Sequence, residues 1–137
     1  MKLPPWVVRA APSLARLALG AAFLSGIASR FGLWGRDVGY GNFERFEQYT
    51  AEVNAFMPRQ SIPFLAWTAT AGELALGVLL VLGIWRRPVA LASAALLLIF
   101  GLAMALSLGI KSPLDYSVFS ASAAALLLAT GDETVNP

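Results

Sequence analysis

The amino-acid sequence predicts an all-α membrane protein: a four-transmembrane-helix bundle with an amphipathic extracytoplasmic segment between helices 1 and 2. Three observations carry this expectation. Only 13% of the 137 residues are charged, against roughly 25% in a soluble domain, and the mean hydropathy is +0.68. Four apolar stretches approach or exceed the ~17–20 residues needed to cross ~30 Å of hydrocarbon. The connections between the last three are short, which makes those helices antiparallel neighbours. Residues 1–137 are read as one integral membrane domain.

The first span, residues 14–29, reads "LARLALGAAFLSGIAS". Lys2, Arg9 and Arg16 ahead of an apolar stretch imitate a signal peptide, but the three spans that follow favour a retained helix. The outer segment, 30–61, contains "NFERFEQYTAEVNAFM", in which Phe43, Phe46, Val53, Phe56 and Met57 recur at helical spacing among Glu44, Arg45, Glu47 and Glu52. That is an amphipathic helix, expected at the outer interface or over the bundle mouth. Glycines at 32, 35, 39 and 41 let the chain turn sharply before it, and Pro58 is expected to end it. It serves either as a fixed lid or as a gate over a cavity.

The second span covers residues 62–84, the third 88–110 and the fourth 113–130. "RRP" ends the second, and Pro88 starts the third. In "SPLD", Ser112 is expected as N-cap, Pro113 at the first helical position and Asp115 three residues beyond the cap, a capping box. Gly131 is expected to close that helix. Gly101, Ala105 and Gly109 recur every four residues in the third span, and Ser117, Ala121 and Ala125 do so in the fourth. This spacing permits close helix approach, within the bundle or between two copies of it.

Cations near the span ends set orientation. Lys2, Arg9, Arg16, Arg86 and Arg87 fall on one side; Arg30, Arg36, Arg45, Arg59 and Lys111 fall on the other. Arg86 and Arg87 are adjacent in a very short loop, whereas most of the opposing cations are diluted along a long one. Both termini are therefore expected in the cytoplasm.

The chain has no Cys and no His. Disulfides, thiol nucleophiles, Cys-ligated clusters, His-held haem and the usual zinc sites are excluded. No phosphate-binding glycine loop or nucleophile elbow is present. The formal charge of +2 gives no case for nucleic acid. The expected partner is the lipid bilayer, with no metal and no intrinsic cofactor; redox chemistry would need a borrowed, non-covalent cofactor or a partner subunit.

Glu73 interrupts the second span eleven residues from either end. A charge at mid-bilayer costs ~3 kcal/mol on insertion scales, and such groups usually face the bundle interior. Ala66, Thr70, Glu73 and Gly77 form a small or polar stripe suited to that direction, whereas Leu74, Leu79, Leu80 and Val81 lie largely elsewhere. Two roles remain open: a neutral acid hydrogen-bonded to a neighbouring helix, or a site for a proton or a polar head group. Arg16 is the candidate partner, able to offer a guanidinium fork. Asp115 and Tyr116, at the outer end of the fourth helix, are weaker candidates that capping and the aromatic belt already explain. Trp6, Trp34, Trp67 and Trp85 near the span ends fit the same belt.

"LARLALGAAFLSGIASRFG", "AGELALGVLLVLGIWRRPVAL" and "LGIKSPLDYSVFSASAAALLLA" resemble, in order and spacing, the first span, second span and fourth-span entry of the DoxX family. The resemblance covers nearly all of residues 14–129. It implies a multi-pass protein of the bacterial inner membrane. Some relatives are small subunits of thiosulfate:quinone oxidoreductases, and others accompany membrane responses to oxidative stress. Arg16 and Glu73 match the family's intramembrane charged positions, although no thiosulfate-binding motif is visible. The leading expectation is an accessory membrane subunit of a redox system, with a bound quinone hydrogen-bonded near Glu73 and a redox partner subunit. A proton-coupled solute transporter working as a homo-oligomer and a structural membrane scaffold are the alternatives.

Overall fold

Helix α1 runs from Pro5 to Arg30, nine residues ahead of the start expected at 14. Proline at the first turn needs no N–H partner and is preset for helical φ; Pro12 inside the helix removes one ladder bond without ending it. The structure, a computed structural model, describes the backbone of residues 1–135 and the side chains of 1–131. The other elements are α2 (Phe43–Val53), a single 3-10 turn (Arg59–Ser61), α3 (Ile62–Leu82), α4 (Arg86–Leu108), α5 (Lys111–Asp115) and α6 (Val118–Val135). Among the described residues there is no strand.

Three helices are long and apolar enough to cross a membrane: Pro5–Arg30, Arg59–Leu82 and Arg86–Leu108. The fourth expected span is shorter than foreseen, because its apolar part is only Val118–Gly131. The expected capping box does not form. Ser112 lies inside the short α5 with no capping bond, and Asp115 pairs instead with Lys111. Tyr116 and Ser117 then break the helix, Ser117 at a φ of 56°. Gly131 does not end α6, which continues to Val135.

The α3–α4 connection is short, as expected, but "RRP" does not end α3 and Pro88 does not start α4: α3 stops at Leu82, and Arg86, Arg87 and Pro88 form the first turn of α4. Gly83 takes the left-handed conformation at a φ of 72°, and its N–H bonds to the Leu79 carbonyl 2.9 Å away. Glycine bears that φ without strain, which is why the turn can reverse within a few residues.

Small residues let two helix pairs approach closely. A Cβ added to Gly20 of α1 would lie 2.8 Å from Val81 Cγ2 and 3.1 Å from the Gly77 carbonyl oxygen of α3. A Cβ on Gly101 of α4 would meet the Phe119 ring of α6 at 2.6 Å. Gly109, expected in the same stripe as Gly101, ends α4 instead and has no neighbour there. Ser122 Oγ of α6 donates to the Ala94 carbonyl of α4 at 2.7 Å, a bond that dispersion alone would not supply. Leu19, Phe23, Leu80, Val89, Ala94 and Ala125 make the core between these helices. Leu80, read from sequence as lying off the inward stripe, is thus part of it.

Helix α2 is capped by Asn42, whose Oδ1 accepts the Arg45 N–H at 2.9 Å. It ends at Val53 rather than near Pro58, so Phe56 falls outside it and is exposed. Its apolar face, through Phe46 and Thr50, is buried against α3 and α4. Ser107 of α4 fastens its far end: the hydroxyl donates to the Val53 carbonyl at 2.9 Å and accepts the Ala55 N–H at 3.1 Å. The segment therefore covers one end of the helix assembly, and a cavity lies beneath it.

Candidate functional site

The cavity holds about 290 Å³ and is bounded by α2, α3, α4 and the end of α1. Its walls are mainly apolar, with Phe46, Leu65, Leu96, Phe100 and Met104 among them. Its polar residues are few: Arg30, Glu73, Tyr40, Tyr49, Thr50, Asn54 and Thr68. Such a setting, apolar with a handful of placed polar groups, is the usual form of a small-molecule site.

Glu73 is buried on the inward stripe of α3 with Ala66, Thr70 and Gly77, as expected. Its partner is Arg30, not Arg16. The Arg30 guanidinium forms an ion pair with the Glu73 carboxylate, and its Nη1 donates to Thr70 Oγ1 at 3.0 Å. The Thr70 hydroxyl in turn donates to the Ala66 carbonyl at 2.7 Å. The third face of the cation rests on the Phe46 ring, with Cζ 3.7 Å from the centroid, an interaction that gains strength where water is excluded. Arg30 is 4% exposed and Glu73 7%. Two charges withdrawn this far from water need each other, since either alone would face a desolvation cost of several kcal/mol.

The neutralisation is not complete in hydrogen-bond terms. Arg30 Nε is buried with no hydrogen-bond partner. A donor held without an acceptor in an apolar enclosure is costly, roughly 1–3 kcal/mol and more when charged.

Tyr40 is delivered by the loop between α1 and α2. Gly39 and Gly41 flank it at φ values of 65° and 79°, and a Cβ on Gly41 would collide with the Arg36 carbonyl oxygen. Ser29 Oγ accepts the Tyr40 N–H at 2.9 Å. The Tyr40 ring stands edge-on to Phe46 with centroids 5.2 Å apart and is tilted against Tyr49 at 5.7 Å. Burial, followed by the neighbouring Tyr49, pushes its phenol up to about 12, with Arg30 opposing. Burial also raises Tyr49. Both tyrosines are therefore neutral hydrogen-bonding groups at physiological pH.

Arg16, the partner expected from sequence, lies elsewhere. Its Nη1 donates to the carbonyls of Leu80 at 2.6 Å and Val81 at 3.0 Å, beside Gly83 at the end of α3. There it satisfies carbonyls that a helix end leaves open. Asp115 and Tyr116 are exposed and do not line the cavity. Among the described residues no group of three His, Cys, Asp or Glu side chains could hold a metal ion.

Sequence reading found Glu73 and Thr70 and missed Arg30, which counted only as a cation of the long loop. The signal was present. Arg30 follows Phe23 and Ile27 on the buried face of α1, at spacings of four and three residues, but the helix was expected to stop at 29.

A family model described as DoxX matches residues 11–107, more than half of the chain, and includes Arg30, Thr70 and Glu73. No curated protein and no solved structure matches the chain.

Proposed function

The chain belongs to the DoxX family, and we propose that it acts as an accessory membrane subunit of a redox system, holding a quinone head group in the cavity beside Arg30 and Glu73. The observation that carries this reading is the convergence of Arg30, Glu73, Tyr40 and Tyr49 on a cavity otherwise mainly apolar. A quinone ring is flat and apolar and presents two carbonyl acceptors. The residues fit that chemistry: Arg30 and the neutral Tyr40 and Tyr49 line one cavity with Phe46, Leu96 and Phe100.

When bound, the quinone supplies the capacity to accept two electrons and two protons. The chain's own residues do the rest. Phe46 and Thr50 of α2 are buried and close the cavity against water on that side, which strengthens each polar interaction inside it. Arg30 holds Glu73 in place and fixes its own Nε–H by bonds to Thr70 and Glu73. Glu73 is the group placed to give or take a proton there. With neither Cys nor His in the chain, a separate subunit is the source or destination of electrons in this reading. We place the protein in the bacterial inner membrane with α6 as a fourth crossing and both termini cytoplasmic.

The test is extraction of the protein, purified from its native membrane in mild detergent, with mass spectrometry of its lipids and co-purifying chains. Stoichiometric quinone in the native protein and its loss from Glu73→Gln and Arg30→Lys, with folding retained, is the expected result. A homo-oligomer carrying phospholipid alone would overturn the reading.

A further inference from the structure

We infer that the occupant of the cavity is a tailed, membrane-borne molecule that enters sideways between α3 and α4, its apolar chain remaining in the bilayer. The inference rests on the quinone reading for the head group and adds the route and the class of tail.

On three sides of the cavity no described lining residue is exposed. The end facing α2 is roofed by Phe46 and Thr50, both buried. That roof is fastened to α4 through Ser107 and to α1 through Ser29, whose carbonyl also accepts the Gly41 N–H at 3.1 Å. On the α1 side, Arg30 is buried and engaged by Glu73, Thr70 and Phe46. Ala103 and Met104 close the α4 wall near the roof and are buried as well.

The remaining side differs. Thr68 of α3 and Ile99 of α4 both line the cavity, yet Thr68 is exposed and Ile99 is 61% exposed. A residue that borders a cavity and also faces outward marks where the cavity meets the surface. Both belong to helices long and apolar enough to cross a membrane, so this mouth opens towards lipid. Ala69, with its single methyl group, also lines the cavity.

Size agrees with the direction. About 290 Å³ lies at the low end of ligand pockets. It admits a substituted ring but no long hydrocarbon chain. An apolar chain attached to that ring must lie outside the cavity, and among the described residues the exposed ones that line it, Thr68 and Ile99, belong to α3 and α4. The head-group donors lie at the inner end of this passage and the lipid-facing residues at its mouth, which is the order an amphiphile requires.

The experiment uses the full chain in lipid nanodiscs and a benzoquinone whose alkyl tail carries a photoactivated diazirine close to the ring. Irradiation followed by peptide mass spectrometry reads which helices the tail touches, and a tail-free benzoquinone serves as competitor. Adducts on residues 65–69 and 96–100, suppressed by the competitor, are expected. In Ile99→Trp, which fills the mouth from an exposed position, the tailed probe should bind about tenfold more weakly, the effect of displacing roughly two methylenes, with the tail-free competitor's affinity unchanged. Competed adducts confined to α1 or α2 would overturn the lateral route while leaving the quinone reading intact. The same fold-change for both probes, or no change for either, would overturn it too. Labelling that the competitor does not suppress would remove the quinone reading, and this inference with it.

Discussion

Replacing Arg30 by Met should destabilise the folded protein by about 3–5 kcal/mol, the cost of removing one partner of a buried pair. The structure says where this comes from. Glu73, 7% exposed, would be left without its counter-charge; Thr70 would lose its donor at 3.0 Å; and Phe46 would lose the cation above its ring. Glu73→Leu should fall at the lower end of the same ~3–5 kcal/mol range, since Thr70 and Phe46 still hold the guanidinium. The double variant replaces both charges by apolar groups of similar volume, a change often near neutral. It also removes the hydrogen bond to Thr70 and the cation over Phe46, so a deficit of about 2 kcal/mol relative to wild type is expected. The two single losses together therefore exceed the double loss by at least about 4 kcal/mol, far outside the ~0.5 kcal/mol within which independent sites add. Equilibrium unfolding in mixed micelles of a mild detergent and dodecyl sulfate measures all four proteins. Single-variant losses that simply add, within that ~0.5 kcal/mol, would refute the claim that these groups form one coupled unit.

Tyr40 gives a pH signature. Its phenol is raised to about 12 from 10.0, so the folded state favours the neutral form. That contribution is complete below pH 10, falls as pH rises through the interval between 10 and 12, and is absent above it; thermal melts across this range should show an alkaline loss that Tyr40→Phe reduces. Arg16→Gln removes both bonds to the Leu80 and Val81 carbonyls and should cost about 1–3 kcal/mol, with ligand content unchanged; loss of ligand would show that Arg16 serves the cavity after all. Gly101→Ala pushes a methyl group to 2.6 Å from the Phe119 ring and should cost about 1–3 kcal/mol by overpacking, read as a lowered melting temperature. Gly41→Ala combines a φ of 79° with a collision against the Arg36 carbonyl; the left-handed conformation alone costs about 1–2 kcal/mol, and displacement of Tyr40 should show as loss of its alkaline titration step.

The sequence by itself determined that the chain is helical and built for lipid, because hydrophobic length and the scarcity of charge are additive properties of neighbouring residues. It determined that the α3–α4 connection is short, and it determined the inward stripe of Ala66, Thr70, Glu73 and Gly77, because helical period fixes which side chains share a face. Element ends were less legible. Residues 112–115 satisfied a capping pattern, yet the Lys111–Asp115 pair and the positive φ of Ser117 made a separate short helix and shortened the final apolar stretch.

Only the tertiary structure decided Glu73's partner. Arg16 and Arg30 are both arginines on α1, fourteen residues apart, and no local rule ranks one above the other. The choice depends on how α1 lies against α3. The close approach at Gly20 and Gly77 fixes that register, sending Arg16 to the carbonyls of Leu80 and Val81 and Arg30 to Glu73. Likewise, Tyr40 and Phe46 join the cavity because the loop folds back onto Ser29 and α2 is fastened to Ser107. Periodicity says which way a side chain faces, but the distance between two charges on different helices is set by the packing between those helices.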